Sequence, residues 1–118
     1  MTHQEINEAI AEHLGWKSPS SPEAKAAHVN WQTADKWWID PDGHEQFAHN
    51  IPDYCNDLNA MHEAEKVIRN SWDSYFESLI SVRWRDAQPD RHPADLSPAG
   101  ATAEQRAEAF LRTLNLWK

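Results

Sequence analysis

A chain of 118 residues with 40% apolar content and seven Trp can fill one modest core but not two independent ones, so a single domain over residues 1–118 is expected. Nineteen acidic residues against eleven basic ones leave a formal charge of −8, and no basic patch is visible to override it, which argues against direct binding to nucleic acid or to an anionic membrane. Cys55 is the only cysteine, which excludes an internal disulfide, and the lack of a spanning apolar run or a secretory leader pattern predicts a cytoplasmic protein.

Thr2, His3, Gln4 and Glu5 form a capping-box pattern, and Ile6, Ala9, Ile10, His13 and Leu14 then share one helical face. Gly15 suits the left-handed residue that ends such a helix, with Trp16 folding back toward Ile10 or Ala11. Residues 17–21 read as a Ser/Pro loop, and Ser21, Pro22 and Glu23 predict the start of a short helix through His28. Asp40-Pro41-Asp42-Gly43 places Pro and Gly as a type I turn favours them, which predicts a hairpin. Trp37, Trp38 and Ile39 would form one arm, and residues 45–48 the other. Side chains of neighbouring strand residues point to opposite faces, so Trp37 and Trp38 cannot both enter one core, and whichever is exposed becomes a binding candidate.

Residues 51–68, IPDYCNDLNAMHEAEKVI, predict the central helix, capped by Asn56 or Asp57, with Leu58, Met61, Ala64, Val67 and Ile68 on its buried side. A further helix is expected after a cap at Asn70-Ser71, carrying Trp72, Tyr75, Phe76, Leu79 and Ile80 at steps of three and four. Residues 85–100 hold three Pro and read as a long exposed connection, with a lid as the functional alternative. Thr102 to Gln105 is a second capping box, leading into a stripe of Ala107, Phe110, Leu111 and Leu114, with Glu108 and Arg112 one turn apart. The residues thus predict an α+β fold of three or four helices packed with a small β-hairpin.

LGWK near the start, the PDG turn, residues 51–68 and ATAEQRAEAFLRTLNLWK, in that order, resemble small phage and prophage proteins grouped with the phage ABA sandwich domain. The resemblance covers roughly half of the chain. It implies an alpha-beta-alpha layered domain of viral origin and brings no catalytic residues with it.

The chemical motifs are sparse. His62 and Glu65 lie one turn apart, with Asp53, Asp57, His44 and His49 near in sequence, but HEAEK lacks the HExxH spacing that puts two His on one helix face, so no metal or other cofactor is expected. There is no GxSxG elbow, and three Gly supply neither a P-loop nor a dinucleotide fingerprint, so the reading is a binding protein and not an enzyme. With the phage resemblance, interference with host defence is the expected role. One route sequesters a small nucleotide-type signal in a pocket built from Trp37, Trp38, Arg83 and Arg85, with Asp53 and Tyr54 as further candidates. A second route docks the acidic surface on a host defence protein, as an inhibitor of a nucleic-acid-guided nuclease would. A phage accessory role is the plain alternative. Seven Trp also predict a self-association surface and a homodimer.

Overall fold

The computed structural model describes residues 1–19, 37–86 and 100–118. The short helix expected from residue 21 lies outside them, as do residues 87–99 of the expected connection or lid. The fold is α+β. The chain divides into two compact units, Met1–Ile10 with Asp53–Lys118, and Ala11–Pro52.

Helix α1 runs over His3–His13. Its capping box forms as the sequence predicts, with the Glu5 N–H donating to Thr2 Oγ1 at 3.1 Å and the Thr2 N–H to Glu5 Oε1 at 3.2 Å. Within the Ala11–Pro52 unit, Gly15 adopts φ +108°, Trp16 N–H reaches the Ala11 carbonyl at 3.0 Å and Gly15 N–H the Glu12 carbonyl at 3.2 Å. This is the Schellman ending.

Strands β1 (Trp37–Ile39) and β2 (Glu45–Phe47) pair antiparallel, with Trp37 opposite Phe47 and Ile39 opposite Glu45. The second arm is one residue shorter than expected, because Ala48–Asn50 turns into a 3-10 segment. Asp40 secures the turn, its Oδ1 accepting from the His44 N–H at 2.8 Å and the Asp42 N–H at 3.0 Å while Gly43 N–H closes on the Asp40 carbonyl. Lys17 adds two backbone hydrogen bonds to Ile39. The strand alternation holds: Trp38 is 5% exposed, while Trp37 is half-buried and stacks on Phe47 at 4.2 Å.

In the other unit, helix α2 covers Leu58–Glu65 and is capped by Asp57, whose side chain accepts from the Asn59 and Ala60 N–H groups. It ends three residues before the expected Ile68. A 3-10 segment, Lys66–Ser71, follows, with a break at Ile68 (φ −108°, ψ 23°), and runs directly into helix α3, Trp72–Asp86, so no polar cap separates them. Met61, Ala64 and Ile68 are buried as predicted, whereas Leu58 and Val67 are exposed, Val67 by 55%. The tighter winding of the 3-10 turn rotates Val67 away from the face that α2 buries.

Helix α3 packs most extensively against helix α4, Ala103–Thr113; Tyr75, Leu79 and Val82 are buried on α3, and Ala107, Phe110 and Leu111 on α4. Both capping-box hydrogen bonds at Thr102 and Gln105 are present. Phe76 and Ile80, each one position after a buried residue, stay on the exposed flank, as does Trp72 at the start of the helix.

Candidate functional site

The 3-10 segment determines what gathers on the surface of the larger unit. In a 3-10 turn, residues three apart eclipse one another, so Lys66, Arg69 and Trp72 line up along one edge. The last turn of α2 puts His62 four residues before Lys66, and the first turn of α3 puts Phe76 four residues after Trp72. Together with Glu65 and Arg106, these five residues line an open cleft of about 540 Å³. That lies within the size range that holds a small organic ligand.

One wall is aromatic. Trp72 and Phe76 stack with ring centroids 4.9 Å apart, and each is about one-third exposed, so the pair offers an apolar face to the cleft. Lys66 and Arg69, on the edge that leads to Trp72, add cationic groups to the same cleft. Lys66 pairs with Glu63 at 2.9 Å, but with side chains 54% and 73% exposed that contact contributes little and releases readily. Arg69 has no carboxylate partner among the described residues. The sequence shows no basic patch, yet the fold assembles one locally within a chain of net charge −8.

The remaining wall is a buried ion pair. Arg106 Nη1 donates to both Glu65 oxygens, at 3.0 and 3.2 Å, and Arg106 Nε reaches the Ala101 carbonyl at 3.4 Å. The Tyr75 hydroxyl lies beside this pair. Burial first, and the Glu65 charge second, raise its ionisation far above the usual tyrosine value.

The residues singled out from the sequence take other places. Trp37 and Trp38 belong to the Ala11–Pro52 unit. Asp53 sets the turn before α2: its carboxylate accepts from Asn56 Nδ2 at 3.0 Å and Asn7 Nδ2 at 3.1 Å, and these hydrogen bonds, led by Asn56, hold its pKa below the ordinary aspartate value despite partial burial. Tyr54 is 3% exposed, and burial pushes its hydroxyl up to about 12. Arg83 is buried and brings the start of α4 to α3, with Nη1 donating to the Gly100 carbonyl at 2.7 Å and Gln105 Oε1 at 3.1 Å. A side chain on Gly100 would begin 3.3 Å from that guanidinium, so glycine makes the close approach possible. Arg85 forms a fork on Glu108, its Nη2 at 2.8 Å from Oε1, and its Nε donates to Asp86. None of these six lines the cleft.

Arg85, Glu108 and Arg112 form the second charged constellation. Burial opposes ionisation of Glu108, but hydrogen bonds from Arg85 and Arg112 outweigh it and hold the carboxyl below its ordinary range. Both arginines are thereby committed to α4. Of the residues considered for metal, only His44 comes close to other His or carboxylate groups in a set of three among the described residues, and its neighbours there are Asp40, which already serves the hairpin turn, and Asp42.

The cleft residues carry a sequence signal of their own: positions 62, 66, 69, 72 and 76 step by four, three, three and four. The 3-10 segment between α2 and α3 lets all five line one cleft. Searches of protein-family models, curated proteins and solved structures return no match to this chain.

Proposed function

We propose that the cleft beside the 3-10 segment binds a small ligand combining a planar ring with a negative charge, of the nucleotide type, and that the protein acts by holding that ligand and not by transforming it. The single observation that carries the reading is that the Trp72–Phe76 stack lines one cavity of ligand size together with Lys66 and Arg69. An aromatic face suits any base, and two cations suit phosphate. A concave site with this pairing is what sequestration requires, whereas docking on a defence protein would call for a flat acidic or apolar patch. Combined with the phage resemblance of the sequence, the reading is a phage-encoded protein that withholds a nucleotide signal from host defence in the host cytoplasm.

Isothermal titration with a panel of mononucleotides and cyclic dinucleotides tests this directly. Stacking contributes about 1–3 kcal/mol per base, so Trp72→Ala should weaken binding roughly five- to hundredfold, and Arg69→Glu should weaken it further at low salt. Absence of heat with every member of the panel, together with no nucleotide retained on the protein purified from cells, would remove the reading.

A further inference from the structure

The inner wall of the cleft is the least expected part of it. Glu65 is 5% exposed and Arg106 is 9% exposed, on the margin of an otherwise aromatic hollow. Taking two charges out of water is costly, and well-packed apolar side chains at such positions are commonly as stable or more so. The Glu65 carboxylate is also incompletely used. A carboxylate offers about four lone-pair positions. A single nitrogen, Arg106 Nη1, spans both Glu65 oxygens. The adjacent Tyr75 hydroxyl makes no hydrogen bond of normal geometry among the described residues.

Resting on the nucleotide reading above, we infer that Glu65 is a base-reading residue that selects a purine presenting two adjacent N–H donors, the pattern of guanine. With the ring stacked on Trp72 and Phe76 and the phosphate toward Lys66 and Arg69, the edge of the base meets Glu65. The guanine N1–H and 2-amino group donate side by side to the two carboxylate oxygens, a charge-assisted fork of the kind that gives both strength and geometry. Arg106 Nη1, which holds both oxygens, orients the Glu65 carboxylate for this. Adenine offers an acceptor nitrogen at the same place, which sets lone pair against lone pair. Hypoxanthine keeps the ring N–H but lacks the 2-amino group.

The test compares GMP, IMP and AMP on the unmodified protein by isothermal titration, then repeats all three with Glu65→Gln after its fold is checked by circular dichroism. A two-donor fork discriminates by roughly tenfold or more, so GMP should bind most tightly, IMP less and AMP least. In Glu65→Gln, one acceptor oxygen becomes an NH₂ donor, and the preference should move toward AMP. Equal affinities for GMP and AMP on the unmodified protein overturn the inference while leaving the nucleotide site standing. Failure of all three to bind overturns the inference, and the nucleotide site falls with it when the wider panel gives no heat and the protein purified from cells retains no nucleotide. If Glu65→Gln does not fold, the order on the unmodified protein still decides.

Discussion

Arg106→Ala isolates the energetic consequence of burying an ion pair at the rim of a cleft. The Arg106 and Glu65 side chains are only 11% and 6% exposed, and their atoms approach to 3.0 Å. Removing the arginine leaves a carboxylate with little access to water, a loss that amounts to about 3–5 kcal/mol for buried pairs, part of it the unpaired charge and part the lost packing of the arginine stem. For a chain of this length, each kcal/mol shifts the unfolding midpoint by about 3–6 °C, so a fall of roughly 10–25 °C is expected. The combined substitution Glu65→Leu with Arg106→Met should instead stay within about 1 kcal/mol of the parent, because it removes both charges and fills the space. Urea unfolding at pH 7, followed by far-UV circular dichroism, reads both values. A loss below about 1 kcal/mol for Arg106→Ala would show that water reaches Glu65 freely. A double variant as unstable as the single one would refute the claim that unpaired charge dominates.

The remaining predictions concern pH and the helix ends. Glu108 has its folded pKa lowered, so its contribution is present above the ordinary glutamate value of 4.5 and is lost as pH falls through the folded value; Glu108→Gln should be less stable at pH 7 and show a shallower decline in acid, read by urea midpoints between pH 6 and 3. Cys55 shifts the other way, pushed up to about 12 by burial and then by the charges of Asp53 and Glu104, so its contribution is intact below the ordinary thiol value of 9.0 and fades as pH rises toward 12. Cys55→Ala should flatten the stability profile between pH 9 and 10, before the buried tyrosines titrate. Gly15→Ala should lower stability by about 1 kcal/mol, because φ is +108° while the added Cβ would sit an uncrowded 3.6 Å from Pro41; thermal melts check it, and an unchanged midpoint would contradict the strain argument.

Several elements were legible because local chemistry decides them. Both capping boxes, the Asp57 cap, the left-handed Gly15 and the Asp40 turn are set by residues within four or five positions of one another. The alternation of Trp37 and Trp38 follows from strand geometry alone. Periodicity was less decisive in α3, where Trp72, Phe76 and Ile80 repeat as regularly as Tyr75, Leu79 and Val82. Apolar spacing shows that a helix has such rows but not which row α4 covers.

The site was hidden for a related reason. Arg83 and Arg85 invite a ligand together with Trp37 and Trp38, but the sequence does not show that Gly100, Gln105 and Glu108 are placed to occupy them. Lys66 and Arg69 look like exposed charges on a helix until the winding tightens after Glu65 and aligns them with Trp72. The amino-acid order by itself determined the capped starts of α1, α2 and α4, the Gly15 ending, the turn and the class of the fold, because those depend on short-range hydrogen bonds and side-chain period. The burial of one face of α3 and the capture of the arginines by α4 depend on side chains that meet only when distant segments pack, and the cationic, aromatic cleft depends on the change of winding after Glu65 and on Arg106 arriving from α4.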